Sequence, residues 1–418
     1  MDDEAIYKFR QNLATALLRL APSTRAVHAD DVLNTTDDVA PPVHVSTTFR
    51  YPRDPARLRP HHERPSYPIL DVGEHCYSRQ STPGVTRLEA LLTSIIGHPS
   101  ITYSSGLASF HALLNFLNPR KVSIGAGYHG CHGTLELYSR ASGAEIIPLD
   151  CAIDELDSGD LIHLETPVNP TGEALSIQYY ADRAHSRGAF LSVDSKFAPP
   201  PLQDPFLHGA DIVMHSGTKY IGGHSDFLCG ILAVKREDWF QKLHQDRLFL
   251  GSTMAGFDSW LGTRSMRTLE MRVLRQSQSA EYIVRALHSA LSTSPQTNVL
   301  GDEQRAIVRR VVKEVHHASL QEDAQDWLRK QMPRGYGPVF ALTLREVDAA
   351  KSLPSKLLLF HHATSLGGVE SLIEWRTMTD STVSKDFLRV SIGVESPEDL
   401  LADLVQGLRA VASQKAKL

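Results

Sequence analysis

The sequence contains little cysteine and no long apolar run. The four cysteines have no repeated spacing, which argues against a disulfide framework and suits a reducing compartment; they are Cys76, Cys131, Cys151 and Cys229. No apolar stretch approaches the roughly 20 residues that span a bilayer, so no membrane contact is expected. The chain begins with Met1-Asp2-Asp3-Glu4, the wrong charge for a signal peptide or a mitochondrial presequence. The sequence therefore predicts a cytoplasmic protein.

The chain also lacks an excess of basic residues. Its formal net charge is -5, whereas nucleic-acid-binding domains usually show clustered lysine and arginine. We therefore expect no nucleic-acid partner. Hydrophobic content of 42% and charged content of 22% are ordinary for a globular protein. At 418 residues the chain exceeds one typical core, so two or three packed units are expected.

Short apolar runs alternate with helical patterns through the middle of the chain. The runs occupy residues 121–124, 145–149, 161–164, 190–194, 212–215 and 228–234. This alternation predicts an α/β fold, in which a mostly parallel sheet carries helices on both faces. We assign this domain to residues 77–261. Residues 1–76 are predicted to form an amino-terminal helix and an extended arm, and residues 262–418 a smaller α+β domain with a bridging helix.

The segment Ser216–Asp226 carries the strongest functional signal. Lys219 lies between small hydroxyl residues on a polar turn that directly follows the apolar run Ile212–Met214, and Gly222-Gly223 follows. Such a lysine is poorly suited to core packing. It is well suited to form a Schiff base with an aldehyde, while Ser216 and Thr218 bind a phosphate. These features indicate a site for pyridoxal 5'-phosphate (PLP).

Further segments follow the same pattern along nearly the whole chain. They include Tyr77-Ser78-Arg79, Ser105-Gly106-Leu107, Glu165–Pro170, Phe190–Asp194, Ser365–Leu372 and Leu388–Gly393. With these motifs the chain resembles the Cys/Met-metabolism PLP enzymes, among them cystathionine γ-synthase, cystathionine γ-lyase, methionine γ-lyase and O-acetylhomoserine sulfhydrylase. The resemblance implies the PLP-dependent transferase fold type I and a homodimer or homotetramer.

The resemblance also implies roles in cofactor binding. Lys219 would carry PLP, Asp194 would bind the pyridine nitrogen, and Tyr128 would stack on the ring and assist the exchange of amines. The backbone amides of Gly106 and Leu107, at a helix amino terminus, suit the phosphate. The residues assigned to cofactor binding are Tyr77, Arg79, Ser105, Gly106, Leu107, Asn169, Asp194, Ser216, Thr218 and Lys219. In the family, the Tyr-x-Arg pair reaches the phosphate from a neighbouring subunit, and Tyr77 and Arg79 match it.

Four residues are assigned to the amino-acid substrate. Arg389 suits the planar α-carboxylate because a guanidinium can bind it through two parallel hydrogen bonds. Ser365 matches a serine close to the Schiff base, and Asn169 matches a residue near the phenolic oxygen of the cofactor. Glu370 lies in a form of its motif that is typical of enzymes acting at the γ-carbon. Glu165 also belongs to a family motif, but its role does not follow from the sequence.

Several positions depart from the family pattern and suggest a divergent member, similar to fungal branches that act in secondary metabolism. One departure places Lys196 two residues after Asp194. Two interpretations are open: Lys196 orients an anionic second substrate, or it pairs with a nearby carboxylate. His129, Cys131 and His132 invite a metal interpretation, but their spacing fits neither a helical pair nor a zinc ribbon, so no metal is expected.

The predicted reaction is γ-replacement on an O-acyl-L-homoserine, most simply O-acetyl-L-homoserine. A thiol, or a carbon nucleophile such as a β-keto acid in an alkaloid-type pathway, would replace the acyloxy group at Cγ. Two alternatives stay open at this point. One is γ-elimination, which releases a 2-oxo acid and ammonia, and the other is a PLP-binding regulatory protein without catalysis.

Overall fold

The computed structural model describes residues 12–13, 15–17, 19–34, 36–58, 60, 75–292 and 299–414. Two β-sheets organise these residues, one of seven strands and one of five. The predicted amino-terminal helix lies largely outside the described residues, and so does much of the predicted arm, at residues 61–74.

The larger sheet has the strand order β1-β7-β6-β5-β4-β2-β3. Strands β2 to β6 run parallel to one another, while β7 runs antiparallel to β1 and β6. The strands are β1 (Ser100–Tyr103), β2 (Lys121–Ile124), β3 (Glu145–Pro148), β4 (Leu161–Glu165), β5 (Phe190–Asp194), β6 (Ile212–Ser216) and β7 (Gly230–Val234). The prediction of a mostly parallel sheet is confirmed.

Helices cover both faces of this sheet. Up to residue 291, the described helices are α1 (Pro22–His28), α2 (Pro83–Ile96), α3 (Gly106–Leu117), α4 (His129–Ser142), α5 (Ile177–Ser186), α6 (Glu237–Leu250), α7 (Gly256–Met266) and α8 (Leu269–Leu291). Helices α2 to α6 contact the strands of the larger sheet directly. Every residue of β4 is buried, and so is every residue of β7. Separate apolar clusters line the two faces, as expected when a parallel sheet is covered on both sides.

The smaller sheet follows helix α8 and has the order β10-β11-β12-β9-β8. Its strands are β8 (Val312–His316), β9 (Val339–Leu344), β10 (His361–His362), β11 (Leu372–Trp375) and β12 (Phe387–Ser391). Its helices are α9 (Asp302–Val311), α10 (Gln325–Gln331), α11 (Val347–Ser352) and α12 (Pro397–Gln414). A third apolar cluster joins this sheet to α8 and α12.

The predicted fold class is confirmed, including the smaller α+β domain. The bridging stretch predicted near residues 262–289 consists of two helices, α7 and α8, which are separated at Arg267 and Thr268. The domain boundaries at 76/77 and 261/262 stay predictions. Among the described residues, no helix has the combination of length and apolarity that crossing a bilayer requires.

Candidate active site

The carboxyl ends of three adjacent parallel strands form one edge of the larger sheet. β4 ends at Glu165, β5 at Asp194 and β6 at Ser216. The strand register pairs Glu165 directly with Asp194, so the two side chains leave the sheet on the same face. Open α/β sheets bind their ligands at such carboxyl ends.

Lys219 lies on the turn that follows β6. The turn is closed by hydrogen bonds from Lys219 N to Ser216 O (3.1 Å) and from Gly222 N to Gly217 O (2.8 Å). The side chain donates from Nζ to Ser365 Oγ at 2.7 Å. Ser365 has a φ of 73°, a left-handed conformation that is uncommon for a residue other than glycine. The structure thus brings two predicted site residues, 146 positions apart, into direct contact.

The environment of Lys219 favours the neutral amine. Burial, aided by the positive charges of Arg389 and Lys196, lowers the pKa of Lys219 from 10.5 to about 8. A neutral amine is the form that attacks an aldehyde. Close packing also fixes this backbone, because a Cβ at Gly367 would lie 2.7 Å from the Lys219 carbonyl carbon.

The amino terminus of α3 faces the same turn. Ser105 caps the helix by accepting a hydrogen bond from Ala108 N at 3.1 Å. The N–H groups of Gly106 and Leu107 lie in the first helical turn, where no preceding carbonyl of the helix can accept them. A Cβ at Gly106 would lie 3.2 Å from Ser216 Oγ, so the helix terminus and this hydroxyl are in contact. Together they fit the predicted phosphate site.

Two other predicted phosphate ligands are engaged within the chain. Thr218 Oγ1 accepts a hydrogen bond from Cys229 N at 3.0 Å and can still donate its own proton. Arg79 donates to the Leu248 carbonyl at 3.2 Å and lies 5.3 Å from the centre of the Tyr77 ring. Tyr77 is 46% exposed. The role of Tyr77 and Arg79 in a neighbouring subunit stays a prediction.

Glu165 acquires a role that the sequence did not reveal. One of its oxygens accepts a hydrogen bond from Tyr128 N at 2.9 Å, and the other accepts one from Asn169 N at 2.7 Å. This carboxylate therefore fixes the backbone of two predicted site residues. Burial raises the pKa of Glu165, and the Lys196 ammonium opposes that rise.

Lys196 lies between the two strand-end carboxylates. Its Nζ is 2.7 Å from Asp194 Oδ2 and 2.9 Å from Glu165 Oε1, and its backbone N–H donates to Asp194 Oδ1 at 3.1 Å. The residue is 5% exposed. This geometry favours the ion-pair interpretation of Lys196 over contact with a second substrate. It also shows that both oxygens of Asp194 already accept hydrogen bonds within the chain.

Arg389 is held by three acceptors at the side of the site. It donates to Asn169 Oδ1 at 3.0 Å, to the Ser365 carbonyl at 2.9 Å and to Glu374 Oε2 at 2.5 Å. Glu374 lies directly opposite Arg389 in the register of β11 and β12 and also accepts from Arg376 at 3.1 Å. The sequence contained Glu374 in a divergent segment, but only the strand register identifies it as the partner of Arg389.

Glu370 borders an open cavity of about 870 Å³ that reaches Ser365. Its Oε1 accepts a hydrogen bond from Ser225, whose φ is 56°. Asp226 and Asp258 also line the cavity, together with His361. Three carboxylates therefore border the approach to Ser365 and hence to Lys219.

Within the described parts of the chain, one group has a spacing that could hold a metal: Cys131, His163 and Asp194, with ligand atoms within 4.8 Å of one another. Burial lowers the pKa of His163 to about 4 and raises that of the Cys131 thiol. A thiol is a metal ligand only when deprotonated, and the ammonium of Lys196 already neutralises charge at Asp194. We therefore assign no metal to this group.

Comparison with known proteins agrees with the geometry of the site. The family described as Cys/Met metabolism PLP-dependent enzyme matches residues 23–409. Cystathionine γ-lyase of Saccharomyces cerevisiae is 30% identical over 410 residues, which cover 93% of this chain and 97% of the relative. Cystathionine γ-synthase of Escherichia coli is 28% identical and covers 89% and 93%.

Solved structures show the same similarity. Cystathionine γ-synthase from Xanthomonas oryzae pv. oryzae, in complex with aminoacrylate and cysteine, superposes with a TM-score of 0.80 at 26% identity, covering 94% of this chain and 99% of the other. Cystathionine γ-lyase from yeast superposes with a TM-score of 0.78 at 28% identity, covering 94% and 98%. The chain therefore belongs to the family of Cys/Met metabolism PLP-dependent enzymes, and its cofactor is PLP.

Proposed function

We propose that this enzyme catalyses γ-replacement on an O-acyl-L-homoserine, with O-acetyl-L-homoserine as the first candidate. The observation that carries the proposal is the position of Glu370, in a motif typical of γ-carbon chemistry, at the cavity that reaches Ser365. The relatives include both synthases and lyases, so the proposal of replacement depends on Glu370 and not on similarity.

The residues present fit PLP. Lys219 offers an amine with a pKa of about 8, and α3 offers its amino terminus and Ser216 to a phosphate. Asp194 is a buried carboxylate with lone pairs left on both oxygens. Bound PLP would supply an electron sink for carbanions at Cα and Cβ of the substrate.

The remaining steps use the side chains of this protein. Arg389 would bind the α-carboxylate of the substrate, and Asn169 orients its guanidinium. Lys219, once released from the cofactor, would remove one proton from Cα and one from Cβ. Ser365 holds its amine in place. The acyloxy group would then leave from Cγ as a carboxylate with its electron pair, and the nucleophile would lose its proton as it forms a bond to Cγ. Lys219 would return one proton to Cβ and one to Cα.

The charge of the cavity bears on the nucleophile. Glu370, Asp226 and Asp258 would repel an anion that approaches through it. This favours a nucleophile that arrives neutral or with an ammonium group. Thiols such as cysteine meet that condition. Among carbon nucleophiles, a neutral β-keto ester meets it better than a β-keto acid does.

We also propose a homodimer or homotetramer in the cytoplasm. Tyr77 and Arg79 lie on an exposed surface, and exposed apolar side chains occur on the arm and on α6 and α7; they include Val39, Val45, Tyr51, Phe249 and Phe257. Contact with a second copy would bury them. The four cysteines are free thiols, which supports a reducing compartment.

One experiment separates the candidate functions. The PLP-loaded enzyme is incubated with O-acetyl-L-homoserine and one of four nucleophiles: cysteine, 2-mercaptoethanol, acetoacetate or ethyl acetoacetate. Amino-acid products are identified by mass, and 2-oxobutanoate is measured in parallel. We expect a new Cγ bond with the uncharged and ammonium-bearing nucleophiles, and less 2-oxobutanoate as that product forms.

Undiminished release of 2-oxobutanoate with every nucleophile would establish elimination instead. The γ-lyase relative at 30% identity makes that the second candidate. A protein whose visible spectrum does not respond to any amino acid would be a binding protein without catalysis. The Asp258→Asn variant tests the charge argument, since it should lower the KM for acetoacetate; Asp302→Asn, on the exposed first turn of α9, is its matched control.

A further inference from the structure

The side chain of Lys196 touches two buried carboxylates at the carboxyl ends of β4 and β5. Its ammonium bridges Asp194 at 2.7 Å and Glu165 at 2.9 Å, and all three side chains are less than a tenth exposed. The two carboxylates are neighbours because β4 and β5 pair Glu165 with Asp194. Adjacent strands lie about 4.8 Å apart, so the sheet itself forces the two acids together.

Two like charges at this separation cannot both persist in a buried site without a counter-charge. One of the two carboxyls would instead take up a proton. Protonation of Asp194 would remove the acceptor for the pyridinium N–H. Protonation of Glu165 would weaken the acceptor that holds Tyr128 N and Asn169 N. Lys196 supplies one positive charge to the pair and makes either protonation unnecessary.

We propose that Lys196 is a positioning residue with two effects. First, it keeps Asp194 and Glu165 ionised side by side. Second, by sharing Asp194 with the pyridine nitrogen of bound PLP, it lowers the proton affinity of the cofactor site. The second part of the proposal follows from the positive charge of Lys196. Each Asp194 oxygen already accepts one hydrogen bond from Lys196, and the Lys196 ammonium offsets part of the negative charge that a further donor would meet. The same ammonium disfavours a proton on the Lys219 nitrogen.

The pH dependence of this cluster involves every titratable group that faces Lys196. Asp194 and Glu165 contact it directly, and the Tyr128 ring centre lies 5.9 Å from its Nζ. Among the described residues, Cys131, His163, His215 and Lys219 also interact with it electrostatically. Burial lowers the pKa of both histidines to about 4, and raises that of Cys131. These three are therefore uncharged between pH 6 and 9. Lys219, whose pKa is about 8, titrates in this range as well as the carboxylates, and the Glu165→Gln variant below separates the contribution of the carboxylates from that of Lys219.

The first test measures thermal unfolding of the PLP-free protein between pH 6 and 9. Lys196→Met should lower the melting temperature, and the loss should grow as the pH rises. In that variant one carboxyl has a folded-state pKa above its unfolded value, so the stability it contributes is present at low pH and lost as the pH rises through the folded pKa. Adding Glu165→Gln removes the surplus negative charge and should restore most of the loss at pH 8.5.

The matched control is Lys121→Met. Lys121 also pairs with a carboxylate, Asp157 at 3.1 Å, but on the surface, where such pairs contribute little. The melting temperature of the Lys121→Met variant should match that of wild type at every pH. A loss in Lys196→Met that is independent of pH, or that Glu165→Gln does not reduce, would show a packing role and overturn the proposal. If Lys196→Met does not fold, the double variant decides: a folded double variant supports charge balance, and an unfolded one refutes it.

The second test follows the visible absorbance of the PLP-loaded protein against pH. The pH midpoint of the spectral change should move upward in Lys196→Met, because removal of a nearby cation favours the protonated form. Lys196→Arg keeps the charge and should leave the midpoint near the wild-type value. A midpoint in Lys196→Met that is unchanged or lower would overturn the second part of the proposal, whatever the outcome for stability.

Discussion

The depressed pKa of Lys219 predicts how fast the PLP-free protein captures its cofactor at each pH. A lysine with the ordinary pKa of 10.5 is neutral in about one molecule in 3,000 at pH 7, whereas a lysine with a pKa of about 8 is neutral in about one molecule in ten. Since the neutral amine attacks the aldehyde, capture at pH 7 should be about 300-fold faster than the ordinary value allows. The rate should rise with pH up to about 8 and then level off.

Stopped-flow absorbance of PLP mixed with PLP-free protein between pH 6 and 9.5 measures this rate. Butylamine at each pH is the reference that removes the ionisation of PLP itself. The Arg389→Leu variant should move the midpoint upward, because Arg389 contributes to the lowered pKa of Lys219. A capture rate that still rises steeply above pH 9, as it does for butylamine, would refute the reasoning.

The pH dependence of stability provides a second measurement of the pKa of Lys219. The folded-state pKa lies below the unfolded one, so between pH 8 and 10.5 the unfolded chain holds a proton at this lysine that the folded chain does not. Stability attributable to Lys219 should therefore rise across that interval, by about 3 kcal/mol at most. The quantity to measure is the difference in unfolding free energy between wild type and Lys219→Met at pH 8 and at pH 10. A difference that falls with pH would contradict the sign.

Three further substitutions have defined outcomes. Asp194→Asn should leave PLP attached to Lys219 but reduce kcat by roughly 100-fold or more, since an amide is a weaker partner for the pyridinium; saturating PLP and a visible spectrum separate attachment from turnover. Arg389→Lys should raise the KM of the amino-acid substrate by roughly 10- to 100-fold with a smaller effect on kcat, because a charge-assisted hydrogen bond to the α-carboxylate is lost; equal changes in kcat and in kcat/KM would contradict a binding role. Gly367→Ala should destabilise the protein by about 1–3 kcal/mol and lower PLP occupancy, because φ is 91° and the new Cβ meets Lys219; an unchanged melting temperature would refute this steric argument.

Much of the site could be predicted from local sequence. Lys219 follows an apolar strand on a turn rich in hydroxyl and glycine residues, and Asp194 ends another such strand. Strand ends meet at one edge of a parallel sheet whatever the detailed packing. The motif around Ser105 similarly predicts a capped helix start, since a serine there accepts from the N–H three residues on.

The pairing of the charged residues could not be predicted in the same way. Glu374 and Arg389 meet because β11 and β12 are antiparallel in one particular register, and a slip of one residue would turn the two side chains to opposite faces. The sequence left two interpretations of Lys196 open for the same reason. Only the pairing of β4 with β5 reveals that Glu165 and Asp194 need a common counter-ion.

The amino-acid sequence by itself determined the family, the cofactor, the sheet with helices on both faces, and the lysine that binds PLP, because these depend on periodicity and on motifs that are contiguous in the chain. The tertiary structure alone decided which charges neutralise one another in the site. Those contacts join residues on or next to different strands, Lys196 with Glu165 and Arg389 with Glu374, and burial gives each of them an energy that no local pattern encodes.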